Sequence, residues 1–466
     1  MALARIDRLD DAVGAGIERL VVAHHRRRLR RRGWAHAYDP PRDGLWCADD
    51  PPPRDGNRIE VHVDGEEALA ALERDIAAAE RYVQLAGWHF DPTFRLTRGG
   101  PTLRELLTDA AERVDVRMLA WAGAPLPIFN PSRAAVRTAR DALVTGTKIR
   151  LELDAKERPM HCHHEKLAVI DDRVAYVGGI DLTSLAGDRL DSSAHPARGS
   201  VGWHDAAARI EGPLVADVAG HLALRWREVT AERLDIGRVE SAPAADGVRG
   251  QFIRTVPNSV YDALPRGDFR ILEAYLRALR SAERLVYLES QFLWSTELVR
   301  VLRAKLADPP TDEFRLIVLL PNRPNNGGDD TRGQLGLLAD ADRDGRLLAC
   351  TLFQPGHVQQ VYVHAKIGIV DDRWLCIGSA NLNEHSLFND TEACVIVTDE
   401  DLVRSTRLRL WREHLRRDDV DGPTHEVVDE LWRPVATAGD HLALLRNVSR
   451  RTRRFLGPIN GLLVDG

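Results

Sequence analysis

An internal repeat constrains this chain more than any other feature. HEKLAVIDDRVAYVGGIDL, starting at His164, aligns without a gap to HAKIGIVDDRWLCIGSANL, starting at His364, at an offset of 200 residues. His164 matches His364, Lys166 matches Lys366, Asp171 matches Asp371 and Gly178 matches Gly378. Solenoid units repeat every roughly 20–50 residues, so so long a period means that a whole domain was duplicated. Weaker echoes agree with this. Leu69, Leu72 and Ile76 at helical spacing lead into Tyr82-Val83-Gln84-Leu85, as Ile271, Leu272, Tyr275 and Leu279 lead into Leu285-Val286-Tyr287-Leu288. Short apolar runs at 114–121 and 314–320 suit strands buried on both faces. The expected fold is α/β: two duplicated sandwich halves, each a mixed sheet flanked by helices, related by a pseudo-twofold axis. The expected division is a basic helical extension with a proline-rich linker (1–57), a first half (58–231), a linker (232–250), a second half (251–420) and a C-terminal extension (421–466).

In each repeat a His and a Lys stand two apart on an expected strand, so both side chains leave the same face. Imidazole can attack phosphorus or move protons near neutral pH, and ammonium groups neutralise non-bridging oxygens as charge develops. One such triplet is a weak signal, since a core histidine beside a lysine would explain it. Two copies in one register, each followed by a glycine turn, point to a site that handles a phosphate. After the first copy come Asp181, the run Asp188 to Asp191, and Trp203-His204-Asp205; after the second come Ser379, Asn381, Asn383, Ser386 and Asn389 to Glu392.

These residues make the chain similar to the phospholipase D superfamily, whose mark is a duplicated His-x-Lys-x4-Asp motif, and Tyr362 through Glu392 resemble its lipid-acting branch. The resemblance spans about residues 58 to 420. It implies one active site between the halves, with His164 as nucleophile and His364 as the acid and then the base. Lys166 and Lys366 would bind the non-bridging oxygens, helped by Asn381 and by the backbone or hydroxyl of Ser379. Asp191 and Glu392 are the candidates to hold the other nitrogen of each imidazole. Asp171 and Asp371 belong to the motif, yet bracing the strand turn suits them better than touching substrate. Asp181 opposite Asn381 makes the halves unequal, and Leu190, where lipid-acting relatives often carry Trp, departs from the resembled pattern in the pocket near Asp191. Glu289 and Gln291 are read as reaching the cleft or as a polar strand end facing solvent, and Trp88 and Trp203 as lining a headgroup pocket or as core.

The expected activity is phospholipase D type hydrolysis of glycerophospholipids, or transfer of the phosphatidyl group to an alcohol, through a phosphohistidine. The alternatives are a cardiolipin-synthase-like transferase, a phosphodiesterase nuclease, and a non-enzymatic membrane scaffold, against which both intact motifs argue. No cofactor and no metal is expected. His161, Cys162, His163 and His164 invite zinc, but neighbours on a strand point to opposite faces and the second repeat has no matching ligands. The expected partners are a phospholipid and a water or alcohol acceptor, with transient contact to a membrane surface.

With 466 residues, 44% of them hydrophobic, the chain can bury a large core. A net charge of -6 offers no global attraction to polyanions and counts against a nucleic-acid substrate. Five scattered cysteines without a CxxC pair fit reduced thiols. Asp10, Asp11, Glu18 and Arg19 interrupt any signal-peptide core, and nowhere are there roughly 18 consecutive apolar residues. A cytoplasmic protein, peripheral to the membrane at most, is the expectation. The arginine run 26–32 is read as a contact for an anionic surface or as a solvated helix end.

Overall fold

The computed structural model describes residues 2–446 and 448, apart from 42, 49, 126–129, 159–160, 184–201, 237–242, 325–327 and 358. Asp188, Leu190 and Asp191 therefore lie outside the described residues.

The first half contributes strands β1 (Arg54–Val63), β2 (Tyr82–Gly87), β3 (Asp115–Trp121), β4 (Arg150–Asp154), β5 (Lys166–Ile170), β6 (Val174–Gly178), β7 (Trp203–His204) and β8 (Ala206–Glu211). The second contributes β9 (Val248–Val256), β10 (Asp268–Phe269), β11 (Leu285–Glu289), β12 (Arg315–Leu319), β13 (Leu347–Phe353), β14 (Gln360–Val363), β15 (Ile367–Val370), β16 (Trp374–Gly378), β17 (Glu392–Val397) and β18 (Leu442–Leu444). One sheet runs β1-β8-β6-β5-β2-β3-β4 and the other β9-β17-β16-β15-β11-β12-β13. In both, the last three strands are parallel and the others antiparallel, so the repeat in sequence is a repeat in topology. Equivalent edge strands β1 and β9 pair antiparallel with each other, Arg54 opposite Gly250, which is the relation a pseudo-twofold axis produces.

Every residue of β5, β6 and β16 is buried, as the unbroken apolar runs require. Their hairpin turns take Asp171 and Asp172 to φ values of 59° and 58°, and Asp371 and Asp372 to 53° and 54°. Aspartate tolerates this left-handed region because its short side chain bonds locally. Asp171 accepts hydrogen bonds from the backbone N–H of Glu80, Arg81 and Tyr82, each at 2.8 Å, and Asp371 does the same for Glu283, Arg284 and Leu285. The motif aspartates thus tie each hairpin to the chain entering β2 or β11.

The inner faces of the two sheets meet in one apolar layer. Val169, Val177 and Ile210 lie in it with Ile369, Ile377 and Val395, and Trp226 and Trp411 enter it from helices Val215–Thr230 and Glu400–Leu415. Helices Asp64–Ala77 and Leu103–Ala111 cover the outer face of the first sheet, and Arg270–Ser281 and Thr296–Ala307 that of the second. The N-terminal helix Ala2–Arg32 joins the second of these outer layers through Val22 and Leu29. Within the arginine run, Arg28 is committed to Asn258, Asn389 and the carbonyl of Phe388, whereas Arg27, Arg30, Arg31 and Arg32 are exposed. All five cysteines are free thiols and buried, and among the described residues no helix is long and apolar enough to cross a membrane.

One buried charge cluster holds the approach to the first motif. Arg225 donates to Asp154 at 2.8 Å and also to Glu165, while Tyr261, from the second half, donates to the same Asp154 carboxylate at 2.6 Å. His221 sits 2.8 Å from Glu165. Burial opposes ionisation of Asp154 and Glu165, but the neighbouring cations outweigh it, and Glu165 is held down to about 2. Arg225→Met should therefore lose about 3–5 kcal/mol of stability, because two carboxylates are left in apolar surroundings without their cation. Denaturant unfolding of the purified variant measures this, and an unchanged midpoint would contradict it.

Candidate active site

Each motif histidine is held by a carboxylate from the opposite half. His164 Nδ1 lies 3.0 Å from Glu392 Oε1, and His364 Nδ1 lies 2.6 Å from Asp205 Oδ2. Backbone pairing across the interface makes this geometry. Tyr362 and Val363 of β14 run parallel to Trp203 and His204 of β7, and His163 forms the corresponding parallel bridge to Thr391. The amides of His164 and Glu165 donate to Thr391 O at 2.9 and 3.1 Å, and those of His364 and Ala365 donate to His204 O at 2.8 and 3.0 Å. Glu392 and Asp205 each follow directly on the residue that makes this contact, so each is delivered to the other half's imidazole. Because Nδ1 is occupied by an acceptor, Nε2 is the nitrogen each ring presents for chemistry.

The lysines stand where the alternation of a strand places them, buried beside their histidines. Lys166 Nζ donates to His164 O at 2.6 Å and lies 3.4 Å from Asp181 Oδ2, and Lys366 Nζ donates to His364 O. Asn381, the counterpart of Asp181, carries no charge, so the two motif turns differ in charge. Asn381 Oδ1 lies 3.5 Å from Ser290 Oγ. The Ser379 hydroxyl donates to Glu392 and its amide donates to Ala393 O at 2.9 Å, so both groups contact the carboxylate and its strand. Ser386 adds a bond of 2.6 Å to Glu392 Oε1. Burial pushes the Glu392 carboxyl well above the usual range, against the pull of Lys166 and the two serine hydroxyls.

The carboxylate on His364 is the residue that sequence reasoning missed. Asp191 was the expected one; it lies outside the described residues, and the Nδ1 positions of both histidines are taken by Glu392 and Asp205. The spacing misled because Glu392 follows His364 by 28 residues whereas Asp205 follows His164 by 41. Strand context carried the better signal: Asp205-Ala206 leads into β8 as Glu392-Ala393 opens β17, the equivalent strand.

Glu289 does not face solvent. It is fully buried, with His204 Nε2 2.7 Å from one oxygen and His414 Nε2 3.0 Å from the other. Burial works against a charged His204, yet Glu289 and Asp64 outweigh it and hold its pKa well above the ordinary value. This bridge fixes the backbone next to Asp205. Gln291 donates to Tyr362 OH at 2.8 Å, and Trp203 stacks on Tyr362 with its ring 4.2 Å from that of His364. Trp203 and Gln291 thus belong to the surroundings of His364. Trp88 stacks on Trp121 at 6.1 Å and packs with Cys162, just before the first motif.

The comparisons with known proteins fit this arrangement. A family model described as cardiolipin synthase, PLD-like domain, matches residues 275–412. Phospholipase D A of Dictyostelium discoideum is 25% identical over 482 aligned residues, covering 81% of this chain and 37% of the relative. Phospholipase D1 of Saccharomyces cerevisiae is 25% identical and covers 55% and 22%, and phospholipase D alpha 4 of Arabidopsis thaliana is 23% identical and covers 79% and 66%. The chain thus spans well under half the length of the first two. Among solved structures, phosphatidylserine synthase of Haemophilus influenzae superposes with a TM-score of 0.52 at 11% identity, covering 81% of this chain and 90% of that one, which is a likeness of fold.

Gly179, the counterpart of Ser379, leaves room for Asp205: a Cβ there would stand 2.2 Å from Asp205 Oδ1. Gly179→Ala should displace the carboxylate from His364 and lower turnover of an aryl phosphodiester about 100-fold, the effect expected of a misplacement near 1 Å. Steady-state kinetics checks this, and wild-type turnover would show that Asp205 does not orient His364.

Proposed function

Because the chain belongs to the phospholipase D superfamily, we propose that it hydrolyses glycerophospholipids, or passes their phosphatidyl group to an alcohol, through a phosphohistidine. The observation that carries the reading is the exchange of carboxylates: Glu392 on His164 and Asp205 on His364, each across the interface. A pair of oriented imidazoles with a buried lysine beside each is the apparatus that double displacement at phosphorus requires.

In the first step His164 Nε2 attacks phosphorus, the bond to the headgroup oxygen breaks, and His364 Nε2–H gives its proton to that oxygen. Water or an alcohol then attacks the same phosphorus, His364 Nε2 takes its proton, and the bond to His164 breaks. Lys166 and Lys366 offset the charge on the non-bridging oxygens. The order of roles is supported by the unequal carboxylates. Asp205 holds His364 Nδ1 more closely, at 2.6 Å, than Glu392 holds His164 Nδ1, at 3.0 Å, which suits His364 to the proton-carrying role. Glu392 is shared with two serine hydroxyls, so less of its charge is left to stabilise an imidazolium, which favours a neutral, nucleophilic His164. Hydrolase and transferase differ only in which hydroxyl attacks second, so the names of the relatives fit either outcome.

A panel of phospholipids and plasmid DNA, offered side by side without added metal and with and without a primary alcohol, tests substrate class and acceptor together. Released headgroup with phosphatidic acid or phosphatidylalcohol is the expected result, and nicked DNA with untouched lipid would overturn it. The roles of the histidines are tested separately. With an aryl leaving group, which needs little protonation, His364→Ala should accumulate a phosphoryl adduct on His164 and stall, whereas His164→Ala should form none there. Rapid quenching and peptide mass spectrometry locate the adduct, and an adduct on His364 in the His164 variant would reverse the assignment.

A further inference from the structure

His161, three residues before the first motif histidine, meets His385 and Asp390 of the other half. Its Nδ1 lies 3.1 Å from His385 Nδ1 and 3.4 Å from Asp390 Oδ1, and the three donor atoms fall within 4.8 Å of one another. We infer that these three residues form a binding site for a divalent transition ion, zinc by preference, which clasps the two halves beside the nucleophile.

The separations fit. A tetrahedral ion bound at about 2.0–2.1 Å sets its ligand atoms roughly 3.3 Å apart. Proton counting points the same way. Two Nδ1 atoms facing each other can share only one proton, and Asp390 Oδ1 already accepts from the amide of Cys162 at 2.9 Å. Asp390 Oδ2 is buried with no hydrogen-bond partner. A cation would take up the lone pairs of the facing Nδ1 atoms and of the buried Asp390 carboxylate. The His204, Glu289 and His414 group is the instructive contrast: there each imidazole nitrogen in contact faces a carboxylate oxygen, at 2.7 and 3.0 Å, and hydrogen bonds suffice.

Alternation along the extended chain, which argued against a zinc site made of His161 to His164 alone, still holds. Cys162 packs with Trp88 and Trp121, His163 reaches Thr391 Oγ1 at 2.9 Å, and His164 reaches Glu392. Of these four side chains His161 is the one that meets His385 and Asp390, so the remaining ligands come from the other half rather than from the repeat. His161 retains 8% exposure, whereas His385 and Asp390 are fully enclosed, so the ion and its water would enter from the His161 side. Asp390 and Glu392 flank Thr391, whose amide donates to Cys162 O at 3.1 Å. An ion here would lock the strand contact that sets Glu392 on His164, and no chemical step passes through it.

The test is ion uptake, read without any substrate and so independent of the proposed activity. Chelator-stripped, dialysed full-length protein should take up about one equivalent of Zn2+ by calorimetric titration, and Co2+ should give the visible absorption of a four-coordinate site. His161→Ala and Asp390→Asn should each bind at least about 100-fold more weakly. The asparagine variant keeps the acceptor for the Cys162 amide, so it separates lost ligation from lost folding. His164→Ala should still bind one equivalent. Failure to take up either ion, uptake unchanged in both ligand variants, or uptake lost in His164→Ala would each overturn the site.

Discussion

Neither half of this molecule can orient its own histidine. Glu392 crosses to His164 and Asp205 crosses to His364, and the backbone contacts at Thr391 and His204 that deliver them are themselves contacts between halves. Much else in the interior serves to hold that exchange. The duplicated sheets bring their inner faces into one apolar layer, the hairpin aspartates tie β5 and β15 to the chain entering the neighbouring strand, and the glycine at 179 lets a carboxylate approach where a methyl group would obstruct it.

The charges buried around the site are costly to enclose and are enclosed in groups. Arg225 serves Asp154 and Glu165 together, and His204 stands between Asp64 and Glu289. Both groups join segments far apart in sequence, and both lie next to a residue of the crossing contacts: Glu165 follows His164, and His204 precedes Asp205. Such groups add little net stability compared with apolar packing, but removing one member leaves an uncompensated charge. Their value here is positional, because a buried ion pair has few alternative geometries.

The repeat at His164 and His364 was enough to read the duplicated α/β sandwich from the sequence, because strands buried on both faces leave unbroken apolar runs and the motif fixes their register. Glu392 was chosen because an acid stands at a nearly equal distance beyond each motif and the resemblance implies such an acid. Asp205 was not, since the longer connection after the first motif broke the equal spacing on which Asp191 was chosen; matching β8 to β17 would have found it. Glu289 could be read from sequence as reaching the cleft or as a polar strand end facing solvent, and nothing in the local sequence announces His204 and His414 as its partners. The contact of His161 with His385 and Asp390 was hidden by a reading confined to one strand, whereas its partners come from the other half.

Duplication ordinarily makes one copy redundant and free to drift. The exchange of Glu392 and Asp205 removes that freedom, since a change in either copy is felt at the histidine of the other. What remains open to divergence is what the exchange does not touch: the residue in the turn after each motif, Asp181 in one copy and Asn381 in the other, and the length of chain between motif and carboxylate. Two copies inherited as equals have thus become specialised without either becoming dispensable.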